Sequence, residues 1–273
     1  MSENYMDQES PVTLERIRDL ESELRKHPVD SDSYNYIKYE LRNSLLRFDK
    51  EKYSKYLLCL ASDIIYTEDS DWPVFTLNVN SKEQELAHDG NFVFSNKLLY
   101  TQDPFVRFIQ RCDAEYDVRY RQIVVGALIT DGKKVIMLKT NDNNRIAKKI
   151  TLIQGHVEFS PEIYFNSEIN YLRLSIKREI EEELMFEDSS IKDKILKSIP
   201  EYPTFGLLKT KTFTDLEHIG LIYQIDVNEI NEDFISKIKS GEPEKHDVFC
   251  FDLSEVDRLK DELDSWAIDV LTS

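Results

Sequence analysis

The stretch REIEEELMF, residues 178–186, carries four glutamates within one and a half helical turns. On an α-helix, residues three and four apart share a face, so Glu179, Glu182 and Glu183 are expected together while Glu181 points elsewhere. No base stands three or four residues after these acids to compensate their charge, and such pairs repel by about a few tenths of a kcal/mol. The stretch is therefore either a solvated acidic face, the usual meaning of a charge run, or one wall of a metal site.

A metal site is chemically reasonable for this stretch. Mg²⁺ prefers oxygen ligands and keeps several waters, which suits two or three carboxylates from one helix plus the phosphate oxygens of a substrate. An ion held in this way polarises a phosphoryl group and lowers the pKa of an attacking water. Spacing alone does not separate the two interpretations, so the neighbouring sequence has to decide.

The overall composition indicates a soluble globular protein with an acidic surface. The chain has 273 residues, of which 41% are hydrophobic and 32% charged, and a net charge of −17. Its length allows one large domain or a domain with an extension. The acidic balance argues against a broad nucleic-acid-binding surface, because such surfaces depend on Lys and Arg that neutralise phosphates. An anionic substrate would therefore need local help, and a bound cation supplies it.

The location expected from sequence is the cytoplasm. Cys59, Cys112 and Cys250 are far apart and show no metal-ligand spacing, so we expect reduced thiols. The N-terminal residues lack an apolar segment of signal-peptide length, and no run approaches about 18 apolar residues, so neither export nor a membrane span is predicted.

The N-terminal part, 1–70, is predicted to be a helical extension. Apolar residues recur at helical spacing through 11–66, which predicts two or three amphipathic helices, the last of them carrying Leu57, Leu60 and Ile64. We expect these helices to pack on the main domain; the alternative is a contact with a partner or with a second copy in a homodimer.

After Pro73 the pattern changes to strands interleaved with helices. Two β-rich runs around Asp131-Gly132 predict a hairpin, and ITLIQGHV predicts a strand that ends at Gly155. The stretch 167–185 predicts a helix with one buried stripe. The remaining predicted elements are short strands at 74–79, 91–95, 205–213, 218–227 and 248–253, and helices at 191–199, 230–239 and from Ser254 to Val270, the last with Asp257 in an imperfect capping box.

The sequence resembles the Nudix hydrolase superfamily, whose motif reads G-x5-E-x7-R-E-U-x-E-E-x-G-U with U aliphatic. Arg178 and Glu179 match the RE, Glu182 and Glu183 match the EE, and QGHV around Gly155 resembles the strand end GGHV of some members. The whole combination is similar to a branch described as predicted phosphoesterases.

Two features depart from the Nudix pattern. Gly155 and Arg178 lie 23 positions apart, so nine residues are inserted, and Met185 replaces the last glycine. The insertion leaves the role of the first motif glutamate open. Its candidates are Glu158, Glu162 and Glu168, and Glu168 shares the face of Glu179 if the helix extends that far.

The resemblance implies a fold and a domain organisation. The fold class is an α/β (α+β) sandwich with a mixed sheet between helices, in a domain at 71–273 whose core is about 105–273, preceded by the helical extension.

The resemblance also implies a reaction: hydrolysis of a diphosphate bond in a nucleoside diphosphate-linked small molecule, with Mg²⁺ or Mn²⁺. Three kinds of site residue follow. The metal ligands are Glu179, Glu182 and Glu183; the catalytic residues are Glu182, Glu183 and Arg178, which holds a glutamate in place; the substrate contacts are Gly155, His156 and Glu168. The candidates for a general base outside the motif are Glu217, Glu242 and Glu244.

Two other functions compete with a hydrolase on this fold. One is a sensor that binds a nucleotide without turnover and signals through the N-terminal helices; the intact R-E-U-x-E-E pattern argues against it. The other is isomerisation of isopentenyl diphosphate, which is expected to need a cysteine with matching histidines at a strand end; no cysteine in the sequence lies near a plausible strand end with such histidines.

Overall fold

The computed structural model describes most of the chain. The described residues are 12–28, 31–61, 74–76, 85–88, 92–95, 106–117, 120–141, 149–160, 170–208 and 218–272. The strands are β1 (Tyr56–Ala61), β2 (Val74–Thr76), β3 (Glu85–His88), β4 (Phe92–Ser95), β5 (Val106–Gln110), β6 (Tyr120–Thr130), β7 (Lys134–Thr140), β8 (Ile150–Thr151), β9 (Ile153–His156), β10 (Leu184–Phe186), β11 (Phe205–Leu208), β12 (His218–Asp226), β13 (Ile238–Ser240) and β14 (His246–Asp252). The helices are α1 (Leu14–Leu24), α2 (Asp32–Phe48), α3 (Lys50–Tyr53), α4 (Arg111–Ala114), α5 (Tyr171–Glu183), α6 (Ser189–Lys197), α7 (Glu232–Ser236), α8 (Val256–Leu259) and α9 (Ser265–Thr272).

The long strand β6 organises a mixed sheet. Along one edge it pairs in turn with β1, β9 and β7, all antiparallel, and along the other edge it pairs in parallel with β12. The sheet continues from β7 to β14 and from β12 through β11 to β2. Strand β9 ends in Gln154-Gly155-His156. Its pairing with β6 places Gly155 within the large mixed sheet.

Helices cover both faces of this sheet. Alternate residues of β6, such as Val125 and Ala127, are buried in a cluster with Ile176 and Ile180 of α5. Leu128 belongs instead to a second cluster on the opposite face, formed with α8 and α9. This period-two alternation is what a strand buried on both faces requires. The predicted α/β sandwich with a mixed sheet between helices is therefore confirmed.

The N-terminal helices α1 and α2 form a core of their own. Their predicted apolar stripes meet in a buried cluster that includes Leu20, Leu41 and Leu45. Cys112 of α4 belongs to the same cluster, and Lys38 of α2 pairs with Asp117 at 2.7 Å. The expected packing of these helices on the rest of the chain is thus observed in the described residues.

The prediction of a helix that carries Leu57 and Leu60 is wrong. These residues lie in β1, which pairs with β5 and with the start of β6. Leu57, Leu58 and Cys59 are all buried, and three consecutive buried residues suit a strand covered on both faces rather than one helix stripe. Ile64 lies outside the described residues, and the division of the chain at residue 70 stays a prediction.

Three helix boundaries also differ from expectation. The helix predicted over 167–185 begins only at Tyr171, because Asn170 has an extended backbone and caps the helix by accepting from Arg173 N. It ends at Glu183, since Leu184–Phe186 form β10, which pairs with β13.

The third difference concerns the C-terminal helix. Instead of one helix from Ser254, a 3₁₀ turn at Leu253–Glu255 leads into α8, and α9 begins separately after a break. The capping box is formed by Asp252 and Glu255 rather than by Ser254 and Asp257.

Most of the remaining predicted elements are present in the described residues, whereas β3, β5, β10, β13 and α4 are not among the predicted elements, and β13 takes the end of the helix predicted at 230–239. The hairpin turns at Gly132, whose φ of 81° suits glycine, and the predicted helices at 191–199 and 230–239 appear as α6 and the shorter α7. Strand residues lie within all the predicted short-strand ranges. Within the described part of the chain, none of the helices has the length and apolar character that crossing a membrane requires.

Candidate active site

The two halves of the motif meet despite the nine inserted residues. Gly155 lies so close to α5 that a Cβ atom on it would fall 2.0 Å from Glu179 Oε2 and 2.1 Å from its Cδ. Any larger residue here would require the carboxylate of Glu179 to move from this position. The insertion therefore leaves the contact between β9 and α5 intact, and most of it, 161–169, lies outside the described residues.

Glu179 is a buried acid held by one base. Its residue exposure is 6%, and its Oε1 accepts a hydrogen bond of 2.5 Å from Arg178 Nη2. Burial raises the pKa of Glu179 to about 7; Arg178 opposes this rise, and the nearby carboxylates of Glu182 and Glu183 add to it. The negative charges of these neighbouring carboxylates repel one another, and a divalent cation would relieve that repulsion.

Arg178 ties α5 to β9. Besides Glu179, its Nη2 donates to the carbonyl oxygen of His156 at 2.8 Å. Its Nη1 lies 3.3 Å from Glu158 and its Nε lies 3.7 Å from Glu182. A planar guanidinium can serve several acceptors at fixed angles, so this side chain orients the acids around it.

The glutamates of α5 divide as the helical spacing predicts. Glu182 is exposed, with 62% of its side chain accessible, whereas the side chain of Glu183 is 19% accessible. Glu181 lies on another side, where it pairs with Lys192 of α6 at 2.8 Å. Glu179, Glu182 and Glu183 thus share one side of α5, although among the described residues their carboxylate oxygens do not form a group within 4.8 Å of one another, whereas Glu181 pairs with the neighbouring helix.

Glu242 in the turn before β14 and His246, the first residue of β14, join this acidic face. Glu183 Oε2 lies 2.6 Å from His246 Nε2, and ligand atoms of Glu183, Glu242 and His246 all lie within 4.8 Å of one another. The sequence interpretation named Glu242 only as a candidate base and missed His246. The available signal was the segment Gly241-Glu242-Pro243, which marks a turn directly before an apolar strand.

A cavity of about 290 Å³ is lined in part by Gly155. His156 Nε2 and His218 Nε2 lie 3.3 Å apart at its wall. Burial, followed by the positive charge of Arg111, lowers the pKa of His156 well below its ordinary value, so this imidazole is neutral near pH 7. The cavity is lined by Val124, Gln154, Gly155, His156, His218, Asp264 and Trp266. Its size suits one ring system, since pockets for small ligands begin at about 300 Å³.

Several predicted residues cannot be placed. Glu162, Glu168 and Glu217 lie outside the described residues, so their predicted roles remain predictions. For Glu168, the capped start of α5 at Tyr171 rules out the three-turn helical argument that put it on the face of Glu179. Glu158 is described, and it pairs with Lys55 and with Arg178, the same guanidinium that contacts Glu179 and Glu182.

Similarity to known proteins is found among solved structures. No family model matches the sequence, and no curated protein matches it. Tm1382, a protein assigned to the Nudix hydrolases, matches over 80% of this chain and 96% of its own at 16% identity, with a TM-score of 0.52. A Nudix-family hydrolase from Clostridium perfringens matches 56% of this chain and 94% of its own (16% identity, TM-score 0.34). A bifunctional NMN adenylyltransferase/ADP ribose pyrophosphatase from Francisella tularensis matches 65% of this chain and 44% of its own (11% identity, TM-score 0.37).

The comparison with Tm1382 establishes the fold. The match spans nearly all of that protein with a TM-score of 0.52, so this chain has the Nudix fold. An identity of 16% carries no activity with it. The activity has to be argued from the residues of the site.

Proposed function

We propose that this protein is a divalent-metal-dependent hydrolase of the Nudix type that cleaves a diphosphate bond in a nucleoside diphosphate-linked substrate. The observation that carries the proposal is the contact between Gly155 and Glu179. The sequence separates these residues by nine more positions than the motif allows, yet the fold brings them together with no room for a side chain. The insertion thus leaves the glycine and the glutamate of the motif in contact, which supports a working site.

The donor set fits Mg²⁺ or Mn²⁺. Glu179, Glu182 and Glu183 would hold the ion, since each offers carboxylate oxygens and Glu179 and Glu183 are largely buried. When bound, the ion supplies polarisation of the phosphoryl group and a lower pKa for the attacking water. Compensation of charge supports the same conclusion, because a protein of net charge −17 needs a local cation to receive an anionic substrate.

The remaining residues orient the reacting groups. Arg178 fixes the carboxylate of Glu179 and, through the His156 carbonyl, the end of β9. Phosphoryl transfer depends mainly on such positioning and on charge neutralisation. Gly155 borders both Glu179 and the cavity, so a substrate can reach the glutamates with its diphosphate while its non-phosphate part occupies the cavity. The partly buried ring of Trp266 offers a surface for stacking a base there.

The proposal is tested with a panel of substrates. Purified protein with Mg²⁺ or Mn²⁺ is incubated with nucleoside triphosphates, ADP-ribose, dinucleotides and capped RNA, and phosphate-containing products are resolved by ion-exchange chromatography. We expect metal-dependent release of products from at least one of them. Tight binding of one compound without turnover would instead support the nucleotide sensor and contradict the hydrolase.

A further inference from the structure

We propose that Glu183, Glu242 and His246 form a mixed carboxylate–imidazole site for a first-row transition-metal dication, distinct in its ligands from the all-carboxylate set on α5. It deepens the proposed function, because Glu183 belongs to both sets. Among the described residues, these three form the one group of potential ligands whose donor atoms all lie within 4.8 Å of one another.

The imidazole is buried and has an unsatisfied nitrogen. Only 8% of the His246 side chain is exposed, and its Nε2 has no hydrogen-bond partner. The facing Oε2 of Glu183 is likewise buried and without a hydrogen bond, although the two atoms are 2.6 Å apart. Buried polar atoms are normally satisfied, and a carboxylate oxygen and an imidazole nitrogen this close need either a proton on the imidazole or a cation bound by both. Both atoms are good metal ligands, so a cation can take the place of that proton.

The turn that carries Glu242 is seated on the end of α5. Gly241 N donates to Glu183 O at 2.8 Å, and a Cβ on Gly241 would fall 2.0 Å from Glu182 O. Just before it, Ser240 pairs with Leu184 in the short β10–β13 sheet. Only glycine permits this approach, so the backbone at Gly241 holds the turn against the glutamates. The proximity of Glu242 to Glu183 is therefore built into the fold rather than left to a loose surface loop.

The geometry needs only small movements to take an ion. Octahedral ligands at about 2.1 Å from a cation lie about 3 Å from their neighbours, so the widest pair would close by less than about 2 Å and the Glu183–His246 pair, now 2.6 Å apart, would open by about 0.4 Å. Glu242 is the side chain able to move, since 35% of it is exposed. Its Oε1 now lies 2.5 Å from Lys245 Nζ, but that ammonium is 54% exposed and such surface pairs contribute little.

The ligand set predicts which metal binds. Mg²⁺ prefers oxygen alone, whereas imidazole suits first-row transition metals. The site should therefore prefer Mn²⁺, used here as the probe, over Mg²⁺ by at least about tenfold. A preference of this kind would let the same fold respond to transition-metal supply.

The test measures metal binding on the full chain without substrate. After removal of metals by EDTA, Mn²⁺ is titrated and followed by electron paramagnetic resonance, with Mg²⁺ as competitor, and echo modulation detects nitrogen bound to Mn²⁺. We expect nitrogen modulation in the wild type and none in His246→Gln, with Mn²⁺ affinity at least about tenfold lower in His246→Gln and in Glu242→Gln. Glu244→Gln removes an exposed acid from the same turn and should bind Mn²⁺ as the wild type does.

The outcomes separate this site from the hydrolase itself. Because Glu242 is partly exposed, its variant keeps the test valid if His246→Gln fails to fold, which circular dichroism would reveal. Bound Mn²⁺ with no nitrogen modulation in the wild type, or unchanged affinity in both variants, overturns the mixed site even if the protein hydrolyses a substrate. Nitrogen modulation without turnover of any substrate leaves the mixed site standing and overturns the proposed function.

Discussion

The contact between Gly155 and Glu179 predicts a large effect from one methyl group. In Gly155→Ala the new Cβ would lie 2.0 Å from Glu179 Oε2, whereas ordinary contacts begin at 3.4 Å, so the carboxylate must retreat by about 1.4 Å. Because Arg178 also donates to the carbonyl oxygen of His156, this retreat is expected to weaken the 2.5 Å hydrogen bond from Arg178 to Glu179. Displacement of a catalytic group by about 1 Å can cost about 100-fold in rate. We therefore expect about a 100-fold loss of kcat and weaker Mn²⁺ binding.

The assay compares Gly155→Ala with Gly132→Ala on the panel substrate that the wild type cleaves best. Gly132 lies at the hairpin turn with nothing within 4 Å of a new Cβ, but its φ of 81° strains any other residue. Gly132→Ala should therefore lower the free energy of unfolding by about 1 kcal/mol and leave kcat unchanged. Near wild-type kcat and Mn²⁺ affinity in Gly155→Ala would refute the reasoning, since Glu179 would then have no fixed position to lose.

Three further predictions concern the support of the site and the fold. Arg178→Lys replaces a guanidinium that reaches three carboxylates and one carbonyl, so steady-state kinetics should show kcat/KM lower by about 10- to 100-fold with little change in thermal midpoint; an unchanged kcat/KM would contradict the positioning role. Leu45→Ala empties a fully buried position between α1 and α2 and should cost about 2–5 kcal/mol in urea unfolding, whereas Tyr39→Ala on the exposed side of α2 should cost under about 0.5 kcal/mol; equal costs would contradict this core. Asp131 accepts backbone hydrogen bonds from the hairpin turn and from Ile230 N, so Asp131→Asn should cost about 1 kcal/mol at pH 7. Desolvation acts to raise the pKa of Asp131, but the backbone donors outweigh it and lower the pKa, so the difference from wild type should be full above about pH 4 and vanish as the pH falls through the lowered pKa; a difference that grows in acid would contradict this.

Local patterns made much of the fold predictable. The hairpin at Asp131-Gly132 and helices α1, α2 and α6 follow from turn chemistry and from periodicity, which act over a few residues. β1 was misread because Leu57 and Leu60 also fit a helical spacing. What decides that segment is its pairing with β5 and β6, residues distant in sequence.

The candidate site was predictable only where it is local. The spacing on α5 predicts Glu179, Glu182 and Glu183 on one side of the helix and Glu181 on another. The ion pair between Glu181 and Lys192 agrees with this prediction. The approach of His246 to Glu183 depends on the β10–β13 pairing and on Gly241. No short-range sequence pattern predicts the contact between His246 and Glu183.

The central claim is that the acidic face of α5 supports hydrolysis, and a matched pair of variants on that helix tests it most directly. Glu182→Gln and Glu181→Gln each remove one charge from neighbouring positions, but only Glu182 faces the proposed metal, while Glu181 pairs with Lys192. With the best panel substrate and saturating Mn²⁺, we predict that Glu182→Gln abolishes turnover with the fold intact and that Glu181→Gln keeps it within about twofold of wild type. Equal activities in the two variants would contradict the account.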